Sequence, residues 1–241
     1  MSLMEHLTEL RTRIIRALLA VLVGFIACFA FAEQIFRFLS QPLIDVLPEA
    51  EKQMVFTSLP EVFIVYLKVS IFAGIFLSSP VIFYQIWRFI SPGLYAHEKK
   101  YMIPFVIIST LFFILGAVFT YYQVFPWGFK FFIKFSSDSI KPMISLNEYL
   151  KFATRLLLAF GAIFEMPILI SFLARIGLVT PSFLRKQRKY AIVIMFTLAA
   201  ILTPPDVITQ LMMAGPMWVL YEISILAADF FKSKRDQKTS T

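Results

Sequence analysis

The sequence has little charge and only one cysteine, and both scarcities exclude classes of protein. Only 16% of its 241 residues are Asp, Glu, Lys or Arg, whereas 59% are hydrophobic. A soluble domain of this length cannot bury so much apolar surface, so most of that surface is expected to face lipid. The single cysteine, Cys28, cannot form an internal disulfide, a CxxC redox pair or a thiolate cage for a metal.

Motifs of enzymes are also absent from the sequence. The only two histidines, His6 and His97, lie beside charged segments rather than inside apolar runs. Neither HExxH nor GxSxG occurs, no zinc site can be assembled, and no cofactor motif is present. We therefore expect no bound metal, no cofactor and no enzymatic activity.

The net charge of +8 comes from short basic segments between apolar runs. This placement is typical of membrane orientation and not of a nucleic-acid groove, so no nucleic-acid partner is expected. With the N-terminus inside, 15 of the 23 lysines and arginines fall on the cytoplasmic side. The second outer loop is an exception, since it holds Lys130, Lys134, Lys141, Lys151 and Arg155. The count predicts a multi-pass protein of the cytoplasmic (inner) membrane with both termini cytoplasmic.

Apolar runs predict six membrane-spanning helices, because about 20 apolar residues cross a bilayer. The predicted spans are approximately residues 14–36, 60–88, 101–125, 150–175, 189–203 and 207–229. The fifth run has about 14 residues before Pro204, or ~21 Å of helix, so the last pair forms either a re-entrant hairpin or two short spans. We predict an all-α integral membrane protein with one domain, residues 1–241, six spans and a short last pair.

Local patterns predict how several of these segments begin. Leu3, Leu7 and Leu10 recur at helical spacing, so residues 2–13 are expected to form an amphipathic helix that continues into the first span. Ser58-Leu-Pro-Glu61 and Ser145-Leu-Asn-Glu148 have the spacing of capping boxes at the starts of the second and fourth helices. The stretch 33–61 is rich in Phe, Leu and Pro, and it is predicted to form an ordered cap.

Two acids, Glu9 in HLTELRTR and Glu98 in FISPGLYAHEKK, stand among basic residues. Glu9 is four residues before Arg13, the spacing of a helical ion pair worth ~0.3–0.5 kcal/mol. Glu98 is a favourable charge near the start of the third helix. The other interpretation is that the two carboxylates together bind a cation that comes from another molecule.

Glu165 is an acid in the middle of the apolar run LLLAFGAIFEMPILISFLA. An acid at that depth costs up to ~2.5–3.5 kcal/mol on insertion scales. Pro167 also removes the helical donor for the carbonyl of Ile163, so a polar notch is predicted. A hydrogen bond within the chain and the docking of a partner are both open interpretations. Thr203 and Gln210 are candidates to complete this notch.

Three motifs, taken together, resemble the TatC family, the receptor subunit of the twin-arginine protein translocase. They are HLTELRTR before the first span, FISPGLYAHEKK between the second and third, and LTPPDVITQ between the fifth and sixth. The resemblance covers essentially all 241 residues in order. It implies a receptor that binds signal peptides with two consecutive arginines on folded cargo. It also implies TatA/TatB-type single-span partners, other TatC copies, and transport driven by the proton-motive force.

The resemblance further implies roles for single residues. Glu9 and Glu98 match acids of the twin-arginine contact, and Phe89 matches a position needed for recognition. Three neighbours in the same motifs complete the expected signal-peptide site: Arg11, Leu94 and His97.

A second set of residues matches the family's intramembrane polar cluster, which is linked to partner docking. This set consists of Glu165, Thr203 and Gln210. Lys99 and Lys100 depart from the family, because many relatives have arginines at these two positions. Lysine keeps the positive charge of arginine, so the departure affects only the expectation of bidentate contacts at these two positions.

An ion-coupled secondary transporter of a small molecule is the alternative function. That class predicts paired discontinuous helices in the two halves of the chain. Residues 1–120 and 121–241 show no internal similarity, so the transporter stays the alternative interpretation.

Overall fold

The structure is a computed structural model, and it describes residues 3–48, 52–90, 102–136, 142–203 and 207–239. Within these ranges the chain is all-helical apart from turns and an isolated bridge between Val55 and Ser145. Its elements are α1 (Leu3–Phe29), α2 (Ala32–Ile44), α3 (Glu61–Ile90), α4 (Met102–Phe119), a π-helical turn (Thr120–Val124), α5 (Phe125–Ile133), α6 (Leu146–Phe164), α7 (Met166–Arg175), α8 (Pro181–Lys186), α9 (Arg188–Leu202) and α10 (Val207–Thr239).

Five helical stretches in the described part are long and apolar enough to cross a membrane. They are Met4–Phe29, Glu61–Ile90, Met102–Ile133, Leu146–Arg175 and Val207–Phe230. Helix α9 has 15 residues and is ~22 Å long, short of the ~30 Å hydrocarbon layer. Thr203, which follows its last residue, lines the same small cavity as Phe152 and Leu156, which are well inside α6. The fifth helix is therefore short, as the sequence predicts.

Several helix ends differ from the predicted spans. The first helix ends at Phe29 instead of residue 36, because the chain turns there to bury one face of α2 in the core. The third apolar helix continues beyond residue 125 to Ile133, through the π-helical turn. The last helix was predicted to be short, but its apolar part, Val207–Phe230, has 24 residues and is long enough to cross a membrane, and α10 continues to Thr239 because no Pro or Gly stops its polar end.

Helices α1 and α3 pack very closely in antiparallel orientation. A Cβ atom added at Gly24 would lie 2.7 Å from the carbonyl oxygen of Gly74, so only glycine permits this approach. The Ser78 hydroxyl donates to the carbonyl of Ala20 at 2.7 Å. Small residues and a bound hydroxyl are typical of such interfaces in membranes. The interface fixes the register that brings the start of α1 to the last turns of α3.

Helix α10 is fastened to the segment that contains α8 and the start of α9. Arg188 pairs with Glu222 at 2.6 Å, and Arg185 pairs with Asp229. These contacts lie at the same side of the bundle as the start of α1 and the end of α3, which we call the N-side. The opposite side, formed by α2 and the starts of α3 and α6, is called the cap side.

Glu61 joins the starts of α3 and α6 on the cap side. Its Oε2 accepts hydrogen bonds from the backbone N–H of Thr57 at 2.5 Å and of Ser58 at 3.3 Å. The second contact is the capping-box bond predicted at this helix start. Its Oε1 accepts from the Ser145 hydroxyl at 3.0 Å and the Asn147 N–H at 3.2 Å.

The capping box predicted at Ser145 does not form. Glu61 accepts from the Ser145 hydroxyl and the Asn147 N–H, and Glu148 instead pairs with Lys151 at 2.7 Å on the surface. A carboxylate from a distant helix therefore accepts from an amide in the first turn of α6. Sequence spacing alone cannot indicate this substitution, because Ser145 and Glu61 are 84 residues apart.

Replacement of Glu61 by Gln is expected to lower the thermal unfolding midpoint of the purified protein by several degrees. A carboxamide has one acceptor oxygen, so its NH2 group would face donors that now bind a carboxylate, and unpaired buried donors are costly. Thermal unfolding in detergent measures the change. Glu148→Gln is the matched control and is expected to leave the midpoint nearly unchanged; equal shifts in both variants would contradict the bridging role.

Candidate functional site

The first candidate site lies where the start of α1 meets the last turns of α3. Both Nε and one terminal nitrogen of Arg13 donate to Oε1 of Glu9, at 3.1 Å and 2.5 Å. The other terminal nitrogen donates to Oε1 of Gln85 on α3 at 3.3 Å. The side chains of Glu9 and Arg13 are only 18% and 12% exposed. The carboxylate thus already holds an arginine in a partly shielded position.

The second carboxylate oxygen of Glu9 has a different environment from the first. Oε2 is buried and has no hydrogen-bond partner among the described residues. A carboxylate that accepts all its bonds on one oxygen keeps unused acceptor capacity on the other. Glu9 therefore combines one occupied oxygen with one covered and unpartnered oxygen.

Phe89 lies next to this carboxylate–arginine cluster. Its ring stacks on His6, with ring centroids 4.4 Å apart. Gln85 and Phe89 are four residues apart on α3, and His6 and Glu9 are three apart on α1. The stacking of Phe89 on His6 therefore lies beside the contacts that Arg13 makes with Glu9 and Gln85. Arg11 is on α1 in the same segment and is exposed. The other predicted members, Leu94, His97 and Glu98, lie outside the described residues.

The second candidate site surrounds Glu165, at the junction of α6 and α7. Helix α6 ends at Phe164 and α7 begins at Met166, with Pro167 in its first turn, so the predicted notch is present in the backbone. Glu165 is 7% exposed, and its Oε1 is buried without a hydrogen-bond partner in the described part of the chain. An unpartnered carboxylate oxygen in an apolar bundle is costly, which makes Glu165 a functional candidate.

A short polar path leads from Glu165 to α3. The Ser109 side chain, on α4, interacts with the Glu165 carboxyl group. The indole N–H of Trp87 donates to the Ser109 hydroxyl at 3.2 Å. Trp87 is itself buried among Phe105 and Phe172. Among the described residues, Ser109 therefore links Glu165 to a cluster of aromatic rings on α3, α4 and α7.

Thr203 and Gln210 lie at the turn between α9 and α10. The Thr203 hydroxyl donates to the carbonyl of Ala199 at 2.9 Å, and the Gln210 amide donates to the carbonyl of Phe196 at 2.9 Å. Both side chains donate to carbonyls in the last two turns of α9. These hydrogen bonds go to α9 and not to Glu165, so the structure does not join the three predicted residues by direct hydrogen bonds.

Two residues of these sites were missed at the level of sequence, Gln85 and Ser109. Each is a polar side chain inside a long apolar run, which is a usable signal. Gln85 stands four residues before Phe89, so helical spacing connects it to a residue already singled out. The partner of each residue could not be inferred, because the partners are on helices far away in the chain.

The long apolar helices define a multi-pass helical membrane protein, and it has two sites with shielded carboxylates. A sequence profile of the family described as "Sec-independent protein translocase protein (TatC)" matches residues 5–216. The TatC protein of Desulforapulum autotrophicum is 54% identical over 232 residues, covering 96% of this chain and 86% of its own length. That of Aquifex aeolicus is 42% identical, covering 98% of both.

A solved structure is similar over nearly the whole chain. The "Crystal Structure of Twin Arginine Translocase Receptor- TatC" superposes with a TM-score of 0.84 and 41% sequence identity, covering 94% of this chain and 99% of that one. The chain belongs to the TatC family of Sec-independent protein translocase proteins. Proteins of this family work in the twin-arginine translocase together with other Tat components.

Proposed function

We propose that this chain is the receptor subunit that binds twin-arginine signal peptides of folded precursor proteins. Glu9 is the carboxylate that receives one of the two arginines, and Glu98 receives the other. Phe89, Leu94 and His97 contact the peptide beside the arginines, and Arg11 completes the site. The solved relative with TM-score 0.84 is itself called a twin-arginine translocase receptor.

The observation that carries the proposal is the contact between Glu9 and Arg13. The Glu9 carboxylate holds a guanidinium through two N–H donors at 3.1 Å and 2.5 Å, so its surroundings already suit an arginine. Arg presents a planar fork of donors, whereas Lys is a single point charge. Each charge-assisted hydrogen bond is worth ~1.5–3 kcal/mol. Two such carboxylates would separate Arg-Arg from Lys-Lys peptides by about one to two orders of magnitude.

The second part of the proposal concerns Glu165, which would dock TatA/TatB-type single-span partners. The buried, unpartnered Oε1 of Glu165 supports this role, because a polar group on a partner helix can supply the missing donor. Glu165 would form one side of the docking region. Thr203 and Gln210 would form the other side, at the end of α9. The Gln210 side chain ties the start of α10 to α9, and the Thr203 hydroxyl bonds within the last turn of α9.

The membrane arrangement follows from the same interpretation. The chain would have six spans in the cytoplasmic membrane, with α9 as a short span that thins the bilayer locally. Both termini would be cytoplasmic, so the N-side would face the cytoplasm, where signal peptides arrive. Other TatC copies would join the complex, and the proton-motive force would drive transport.

Photo-cross-linking tests where the signal peptide binds. A twin-arginine peptide that carries a photoreactive residue beside the arginine pair is added to the full chain in nanodiscs, and the cross-links are mapped by mass spectrometry. We expect cross-links to residues 5–13 of α1 and 85–89 of α3. A peptide with two glutamines in place of the arginines is the control and should lose them. Cross-links concentrated on the cap side, around Glu61, would contradict the proposal.

A further inference from the structure

An apolar groove lies between α5 and the start of α6 on the cap side. Its volume is about 440 Å³, and its walls include Leu43, Phe129, Phe132, Ile133, Tyr149 and Phe152. The two hydroxyl groups in its lining are already engaged. Tyr149 donates to the carbonyl of Leu39, and Ser136 donates to the carbonyl three residues before it, both at 2.6 Å. The groove therefore offers packing surface to a hydrocarbon chain and no free hydroxyl to a polar ligand.

Exposed cations stand along the edge of this groove. Lys130 and Lys134 are one helical turn apart, and each directly follows a residue that lines the groove. Arg155 is exposed on α6, three residues after the lining residue Phe152. Within the described ranges, none of these three cations has an ion-pair partner. The apolar groove therefore has a positively charged rim.

The neighbouring acid does not neutralise this rim. Glu148 directly precedes the lining residue Tyr149, but its carboxylate is paired with Lys151 at 2.7 Å. The three rim cations thus leave an uncompensated positive charge, in the loop region that is the exception to the charge distribution expected for this side of the membrane. An anion from outside the chain can balance it.

The rim lies where a lipid headgroup can reach it. Trp127 on α5 is 65% exposed, as is typical of aromatic residues at the membrane interface. Lys130 and Lys134 follow it by one and two turns toward the cap side. Arg155 lies nine residues into the apolar stretch Leu146–Arg175, or ~13 Å along the helix. An exposed cation at that depth is costly unless its side chain extends toward the interface and meets an anion.

We propose that this groove binds an anionic phospholipid, with one acyl chain along the apolar walls and the phosphate beside Lys130, Lys134 and Arg155. In a bilayer, an apolar surface gains little by exchanging a lipid chain for a protein helix, so the charged rim decides which occupant is retained. A second copy of this chain on the same face would bring two sets of cations together, and a twin-arginine peptide is itself cationic. The site is independent of the proposed function, because neither Glu9 nor Glu165 contributes to it.

The test is photo-cross-linking of lipids to the full chain in phosphatidylcholine nanodiscs. The nanodiscs contain a small, equal fraction of either phosphatidylglycerol or phosphatidylcholine that carries a diazirine near the end of one acyl chain. Cross-links are mapped by mass spectrometry, and the ratio of the yields from the two lipids is compared between variants. Lys130→Gln combined with Lys134→Gln removes two rim cations. Lys186→Gln combined with Lys189→Gln is the matched control, because these two lysines are exposed on the N-side.

The native chain is expected to favour phosphatidylglycerol by about fivefold or more at residues 129–133 and 149–152, since each basic residue near an anionic lipid contributes about a fivefold change in affinity. The Lys130 and Lys134 double variant should lower this ratio by roughly three- to tenfold, and the N-side control should keep it. Arg155→Gln should also lower the ratio, whereas Arg155→Lys should retain most of it.

Two results would overturn the lipid site. One is a native ratio near one at the groove, or phosphatidylglycerol cross-links spread evenly over all lipid-facing helices. The other is a native preference that survives both the double lysine variant and Arg155→Gln, since the preference would then have another source. Binding of the twin-arginine peptide is expected to stay native in these variants, so failure of the lipid site and failure of the receptor site are distinguishable.

Discussion

Glu9→Gln is expected to weaken binding of a twin-arginine signal peptide by about ten- to a hundredfold. The substitution removes the negative charge and leaves one acceptor oxygen for a guanidinium that carries several donors. Charge-assisted hydrogen bonds of ~1.5–3 kcal/mol correspond to this range. The affinity is measured for the purified full chain in nanodiscs, and the Lys-Lys peptide should lose much less affinity than the Arg-Arg peptide.

Glu5→Gln is the control for this prediction. Glu5 is an exposed acid one turn before Glu9 on α1, so its substitution changes the net charge of the same helix by the same amount. It is expected to change the affinity less than twofold at physiological salt, where exposed charges are screened. If both substitutions weaken binding equally, Glu9 acts only through the general potential of this surface. A fully native Arg-Arg preference in Glu9→Gln would remove Glu9 from the site.

Glu165→Leu is expected to reduce association with a TatA/TatB-type single-span partner by about five- to thirtyfold, while binding of the signal peptide stays native. Leucine fills the notch with apolar surface and cannot pair with a polar group on a partner helix. An interhelical hydrogen bond in a membrane is worth about 1–2 kcal/mol in model peptides. Co-purification or energy transfer in nanodiscs measures the association.

Two further variants show which property of Glu165 acts on the partner. Glu165→Gln keeps a hydrogen-bonding group of similar size and should retain part of the association. Ser109→Ala removes the neighbour that interacts with the carboxyl group, so it frees Glu165 and should not weaken docking. If Glu165→Leu instead reduces signal-peptide binding and spares the partner, Glu165 belongs to the signal site.

The spacing of residues within single segments predicted the helices. It also predicted the part of each site that comes from one segment. The pair of Glu9 and Arg13 follows from helical periodicity, and the notch at Glu165 follows from an acid and a proline in an apolar run. These features depend on residues within one or two turns of each other. Helix starts with a local acceptor, such as that at Ser58, are predictable for the same reason.

The remaining features depend on contacts between distant segments. The first helix ends at Phe29 because the chain turns there and α2 buries one face in the core. No pattern within residues 14–36 indicates this turn. Glu61 caps α6 because the two helix starts lie together on the cap side. Gln85 meets Arg13 because Gly24 and Gly74 let α1 and α3 approach closely. Each of these contacts is set by helix packing, so the sequence shows the polar residue but not its partner.

The most direct test of the receptor assignment is the affinity of the unmodified full chain for two peptides. A fluorescent twin-arginine signal peptide and the same peptide with two lysines are titrated with the chain in nanodiscs of fixed lipid composition and salt. The carboxylate that already holds a guanidinium predicts that the Arg-Arg peptide binds about one to two orders of magnitude more tightly. Equal affinities for the two peptides would contradict the assignment of this site as a twin-arginine receptor.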